Sequence, residues 1–258
     1  MRTLALLLSL LCLSPWCWAG ASRDYERGTE DRSDHGTGFP ALGGASTWSV
    51  CGFYNFESVP TVNDTLWLLF TRVSSPYVPN LHLRYMQIGG TDRLETGWAY
   101  ATSPNLYSAW VYNVALNTSQ WYHLCTVIDM TANPDVVTYY VDGTQNAGTL
   151  AYGSNNSTPQ NVGTPGLYLS SDPTDPASAF DGLMAYVVAF DDRALSAVGI
   201  AELQFRAFGI EGGEGYFPMW GSDSPELDLS GNARTGTLTN TVESFSGPPI
   251  MIGDGSLL

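Results

Sequence analysis

From Trp48 onward the chain alternates short apolar runs with polar, turn-forming stretches. WSVCGFYNFESV begins at Trp48, LWLLFTRV covers 66–73 and LHLRYMQIG covers 81–89. GWAYA, LYSAWVYNVA, WYHLCTVIDM, VVTYYVDG, GLYLSS and FDGLMAYVVAF follow, with glycine, proline, asparagine and aspartate in most of the gaps. Runs this short, dense in aromatic and β-branched residues, predict strands. In LHLRYMQIG, alternation puts Leu81, Leu83, Tyr85 and Gln87 on one face and His82, Arg84 and Met86 on the other. Many short strands with almost no helical period predict an all-β antiparallel sandwich, not βαβ units. ALSAVGIAELQFRAFG at 194–209 is the exception. There Leu195, Val198, Ile200, Leu203 and Phe205 form a rough helical stripe, which predicts one short helix interrupted at Gly199.

The ends read differently. Residues 1–21 carry one basic residue, an apolar run from Leu4 to Leu13, and Ala19 and Ala21 in an A-x-A arrangement. This is the layout of a secretory signal, too short in its apolar part for a spanning helix. Residues 22–45 are charged and then glycine-rich, without apolar periodicity, and read as a flexible lead-in. The sandwich is expected over 46–246, with 216–240 as a terminal strand-turn unit, and 247–258 as a loosely held C-terminal tail.

Charge and cysteine content narrow the partners. Ten arginines, with no lysine, face 25 acids. That balance repels phosphate backbones, which excludes a nucleic-acid partner, and it accommodates a divalent cation readily. Removal of the leader leaves Cys51 and Cys125. Export favours pairing them in one bridge, which would stabilise a long loop by about 4–5 kcal/mol, with two buried free thiols as the alternative. The sequons at Asn63, Asn117, Asn155 and Asn156 are glycan acceptors if the secretory route is eukaryotic, and ordinary turn residues if it is bacterial.

Three segments together carry a family resemblance. WYHLCTVIDM at 121–130 followed by VVTYYVDGTQNAG at 136–148 resembles a strand pair of laminin-G-like, concanavalin A-like jelly rolls. FDGLMAYVVAFDDRALSAVGIAEL at 180–203 is similar to the closing unit of that family, and WSVCGFYN at 48–55 to its early strand. The segment running from Trp220 through Asp228, Ser230, Gly231, Asn232, Gly236, Thr237 and Leu238 resembles one that usually opens the domain. Its late position predicts a permuted arrangement, with 216–240 pairing against the sheet of 48–56. In that reading Asp228 to Asn232 form a turn in which aspartate and asparagine cap local amides and Gly231 takes positive φ.

The resemblance implies a secreted, noncatalytic recognition or adhesion protein with carbohydrate as its ligand. Its partner would be an extracellular glycan or a surface protein, with a homo-oligomer as one possible form. A structural subunit of an extracellular, filamentous or viral surface assembly is the alternative, and a polysaccharide hydrolase or lyase a further one. Against the enzyme, retaining hydrolysis needs two carboxylates about 5 Å apart, and no E-x-D-x-E strand is present. Lyase chemistry on this scaffold wants Tyr, His, Arg and Gln on one sheet face, yet alternation separates His82 and Arg84 from Tyr85 and Gln87. His123 reads as a packed strand histidine, His82 as lacking a histidine partner, and His35 as part of the lead-in. The aromatic concentration in one stretch nominates Trp98, Tyr107, Trp110 and Tyr112 as ligand-binding. Relatives that bind Ca²⁺ at a rim point to Asp172, Asp175 and Asp181, hard oxygen donors in a turn-rich loop.

Overall fold

A computed structural model describes residues 22–29, 31–37, 46–72, 79–99, 107–156, 165–170, 176–205, 213–219 and 225–248. Sixteen strands and one α-helix are seen there. In chain order they are β1 (Ser22–Tyr25), β2 (Arg32–Thr37), β3 (Thr47–Phe56), β4 (Asp64–Arg72), β5 (Pro79–Ile88), β6 (Thr91–Ala99), β7 (Tyr107–Asn113) and β8 (Trp121–Asp129). They continue with β9 (Val136–Val141), β10 (Thr144–Ala147), β11 (Thr149–Tyr152), β12 (Gly166–Leu169), β13 (Gly182–Asp191), α1 (Ala197–Phe205), β14 (Gly215–Phe217), β15 (Thr237–Thr239) and β16 (Val242–Ser244). The first sheet runs β10-β9-β8-β3-β13-β1-β16, with β14 also paired to β13, and the second runs β11-β7-β6-β5-β4-β12-β2-β15. The predicted antiparallel sandwich with one short helix is therefore observed.

Between the sheets lies a core to which Trp48, Tyr54 and Phe56 contribute from β3 and Leu83, Tyr85, Trp98 and Trp110 from β5 to β7. Period-two alternation drives this: one face of each strand is apolar enough to leave water, at about 25 cal/mol per Å² buried. The β9–β10 hairpin closes through Asp142 and Gly143, both at positive φ (49° and 75°), the turn geometry that follows strand twist. A second apolar cluster sits on the outer face of the first sheet, where Ile200 and Leu203 of α1 pack with Cys51, Phe53, Cys125, Val188 and Phe190. Cys51 and Cys125 stand directly opposite on β3 and β8 and are joined as a disulfide.

Several expectations need correction. Residues 22–37 are not a flexible lead-in: β1 pairs with β13 and β16, and β2 with β12 and β15. Their alternation is hidden because the buried positions are polar, including Ser22, Arg23, Ser33 and His35. His35 in particular is buried, bonded through Nε2 to Ser33 Oγ at 2.8 Å and through Nδ1 to the Arg234 carbonyl at 3.0 Å. The unit 216–240 joins the sheet of 48–56 only in part, and not on β3, whose two edges are taken by β8 and β13. It divides instead, with β14 on β13 of the first sheet and β15 on β2 of the second. Gly199 does not interrupt α1. Ser196 Oγ accepts from the Gly199 amide at 3.2 Å as an N-cap, and burial of Ile200 and Leu203 outweighs the ~1 kcal/mol that a helical glycine costs. The leader (1–21) and most of the tail lie outside the described residues. No described helix is long and apolar enough to cross a membrane.

Candidate functional site

The outer face of the second sheet carries a continuous band of aromatic and charged side chains. Tyr168 of β12 stacks on Phe70 of β4, with ring centroids 5.0 Å apart. Phe70 meets Trp67 at 5.7 Å, and Trp67 meets His82 of β5 edge-on at 5.7 Å. The Arg84 guanidinium lies 5.1 Å from the Trp67 ring centre. His82 then meets Tyr107 of β7 at 6.1 Å, and Tyr107 meets Tyr152 of β11 at 4.5 Å. The band crosses six neighbouring strands, so at ~4.8 Å per strand it extends over roughly 24 Å.

Two β-bulges build this face. Strict alternation in LWLLF would turn Leu69 outward with Trp67. A register shift between Trp67 and Leu69 instead leaves Leu66, Leu68 and Leu69 all in the core and turns Phe70 out beside Trp67. On β11 a shift between Leu150 and Tyr152 sets Leu150 opposite core-facing Trp110 and Tyr152 opposite Ala109, on the outer side. Bulges re-aim side chains in this way, and here each adds an aromatic ring to the band.

At the centre Glu95 of β6 organises its neighbours. Its Oε1 accepts from His82 Nε2 at 3.1 Å, from Arg84 Nε at 2.8 Å and also from Arg84 Nη2, and from the Tyr152 hydroxyl at 3.3 Å. The Tyr107 hydroxyl in turn donates to the Tyr152 oxygen. Burial on its own would raise the Glu95 carboxyl, but the His82 hydrogen bond and the Arg84 charge outweigh it and hold the pKa down to about 2. Burial lowers His82, and burial together with the Glu95 charge raises Tyr152. Carboxylate, neutral imidazole and phenol are thus the forms present through the neutral range. Because Nε2 of His82 faces the carboxylate, it carries the proton. Nδ1 is then an acceptor, buried and without a partner. Gly97 makes this placement possible: a Cβ there would stand 2.7 Å from His82 Cε1 and 2.6 Å from the Ser108 carbonyl oxygen.

The nominated ligand-binding residues divide. Trp98 and Trp110 are 0% and 7% exposed and belong to the central core, and Tyr112 packs against it. The same alternation that links them sends all three inward, opposite Tyr107, which alone of the four stands on the outer band. Trp67, Tyr152 and Tyr168 were missed by the sequence reading. The available signal was the run of leucines around Trp67, which cannot alternate without a bulge. His82 and Arg84 do share a face, as alternation predicts, and Tyr85 turns inward to accept no part in it, its hydroxyl receiving the Leu116 amide at 2.9 Å.

A second cluster is acidic. Carboxylate oxygens of Asp24, Glu26 and Glu57 all lie within 4.8 Å of one another, half-buried to exposed. Burial raises all three; the charges of Asp31 and Asp181 raise Asp24 further, and those of Asp24 and Asp181 raise Glu26 and Glu57. Such a set could hold a divalent ion. Of the three nominated calcium ligands, Asp181 adjoins this cluster, while Asp172 and Asp175 lie outside the described residues. His123 of the buried Cys51–His123–Cys125 group packs against Phe53 at 4.7 Å, and the two sulfurs there are committed to the disulfide.

The 225–240 segment is a fold edge. Asp228 accepts the amides of Tyr216, Ser230 and Arg234 at 2.9–3.0 Å, and Gly231 has φ 91°. Asn232 departs from expectation by donating to the carbonyls of Gly213 and Glu214. Asn63, Asn117, Asn155 and Asn156 are all exposed.

Comparison with known proteins agrees with this fold. A structure of a candidate carbohydrate-binding protein from Bacteroides ovatus ATCC 8483 superposes with a TM-score of 0.62 at 18% identity, covering 91% of this chain. This chain spans 62% of the length of that protein. The heptameric SAP-like pentraxin of Limulus polyphemus superposes with a TM-score of 0.52 at 11% identity, covering 72% of this chain and 82% of its own. At such identities the likeness is one of fold. No curated relative matches the sequence at a significant level. The family model for the concanavalin A-like lectin/glucanases superfamily matches residues 28–201, within which every residue of the aromatic band falls, and the chain belongs to that superfamily.

Proposed function

We propose that the protein is an extracellular, noncatalytic carbohydrate-binding protein whose ligand lies across the outer face of the second sheet. The observation that carries this reading is the unbroken band from Tyr168 through Trp67 and Tyr107 to Tyr152. Ring faces cover the apolar C–H patches of a pyranose, and amphipathic Tyr and Trp do so while keeping a polar edge wet. A fold alone would not license the assignment, since the superfamily includes both lectins and glucanases. The leader pattern, the disulfide and the exposed sequons support an extracellular location.

Calcium is the ion we assign to the Asp24–Glu26–Glu57 cluster, where hard carboxylate oxygens converge. Screening the protein on a broad glycan array, in calcium and again in EDTA, tests both parts. Reproducible binding that is lost in Tyr107→Ala/Tyr168→Ala supports the reading. Silence toward every glycan in both buffers overturns it in favour of the structural-subunit alternative. Binding that EDTA leaves unchanged removes calcium from recognition.

A further inference from the structure

On the outer face of the second sheet Arg84 and Arg93 face a single carboxylate among the described residues. From β4 through β7 and across to β11, Glu95 is the only carboxylate on that face among the described residues. Its Oε1 is already shared by His82, Arg84 and Tyr152. Two donor-only groups remain: Nε1 of Trp67 and Nε of Arg93 are both buried without a hydrogen-bond partner. An indole N–H and a guanidinium cannot accept, so neither can satisfy the other.

The positions are set by the sheet. Arg84 stands opposite Glu95 across β5 and β6, and Arg93 stands opposite Met86, two residues along β6 from Glu95. Arg93 is therefore diagonal to Arg84, about 7–8 Å away on the same face. The Arg84 charge is met by Glu95. Arg93 has no ion pair among the described residues. Arg23, Arg27, Arg84 and Arg234 each meet a carboxylate there, and Arg93 does not.

We propose that this face selects a glycan bearing an anionic oxygen group, a carboxylate or a sulfate ester, with Arg93 as its counter-charge. The inference rests on the carbohydrate reading above and adds the charge class of the ligand. A neutral sugar hydroxyl can accept from Trp67 but leaves the guanidinium without a counter-ion. A carboxylate or sulfate presents two oxygens to the planar fork of Arg93, the pairing to which guanidinium geometry is suited. The acidic remainder of the molecule does not prevent this, because at physiological ionic strength charges beyond about 8 Å are largely screened.

The test uses two matched pairs of probes on the full chain. One is oligogalacturonate against its methyl ester, and the other is sulfated carrageenan oligosaccharide against its desulfated counterpart. Calorimetric titration is expected to show at least one charged member binding about tenfold tighter than its neutral partner, since charge-assisted hydrogen bonds are roughly twice as strong as neutral ones. Which pair discriminates identifies the anionic group. Arg93→Gln is expected to erase that preference while leaving the neutral partner's affinity and the melting temperature unchanged. Should the variant not fold, wild-type affinity for the charged member must still weaken as salt rises while that of the neutral member stays flat. Equal affinity within both pairs, or no binding of any of the four, overturns the inference. The underlying reading fails differently, through silence toward neutral and charged glycans alike on the array.

Discussion

Removing the carboxylate of Glu226 should loosen both ends of the chain at once. Glu226 and Arg23 are 0% and 1% exposed, and Glu226 Oε2 meets Arg23 Nη2 at 3.0 Å. Oε1 accepts the Met219 amide at 2.8 Å, and the Glu226 backbone exchanges hydrogen bonds of 2.7 Å with Gly236. The side chain thus joins β1 to the segment that carries β14 and β15. Glu226→Ala leaves a buried guanidinium without its carboxylate, a change that costs about 3–5 kcal/mol, and the Met219 amide without its acceptor, about 1 kcal/mol more. Against a typical domain stability of about 5–15 kcal/mol that is a large fraction. Urea titration followed by tryptophan fluorescence should show a much lower midpoint with an unchanged slope, and the melting temperature should fall by roughly 10–20 °C. Glu226→Gln keeps an acceptor for Met219 and should fall between the two. The double variant Arg23→Met/Glu226→Met removes both charges and should recover most of the loss, because apolar replacement of a buried pair is often neutral. A cost for Glu226→Ala below about 1 kcal/mol would refute the idea that this pair holds the two ends together.

Other consequences are open to measurement. Burial lowers His35 and His123 to about 4. The folded state therefore binds fewer protons than the unfolded state between about pH 4 and 6.5, and stability should fall as pH drops through that window, by up to about 3 kcal/mol per histidine. Asp191, raised to about 6 by burial and then by its hydrogen bond with Glu214, acts in the opposite sense, stabilising at low pH and losing that contribution as pH rises through 6. It is only half-buried, so about 1 kcal/mol is a fair allowance, and melting temperatures from pH 7 to 4.5 should still decline. A flat or rising profile would contradict the histidine account. Gly97→Ala should lower the unfolding midpoint, because its Cβ would meet the Ser108 carbonyl at 2.6 Å, and should weaken glycan binding several-fold by displacing the His82 ring; unchanged affinity in the folded variant would remove His82 from recognition. Calcium should raise the melting temperature, and Glu26→Gln/Glu57→Gln should abolish that increment; an increment that survives the substitutions places the ion elsewhere.

The sandwich was legible because burial and period two coincide along β3 to β9, where apolar faces are long and turns such as Asp142-Gly143 are explicit. The first two strands were not, because their inward positions are polar. Arg23 is satisfied by Glu226 some 203 residues away, and His35 by Arg234, partners that no local pattern reveals. The binding face was half legible for the same kind of reason. Alternation correctly joined His82 to Arg84, but it cannot foresee bulges, and bulges bring Phe70 and Tyr152 to the outer side. Aromatic density misled in the opposite direction. Trp98 and Trp110 are concentrated where the core needs volume, and only Tyr107, opposite in phase, reaches the surface.

The most direct test of the central claim is a hydroxyl-radical footprint of the protein with and without a glycan selected from the array. Bound glycan should protect Trp67, Tyr107, Tyr152 and Tyr168 together, because one ligand lying across the strands covers all four half-buried rings. Protection confined to the loops around Asp181, or none on the outer face of the second sheet, would contradict it.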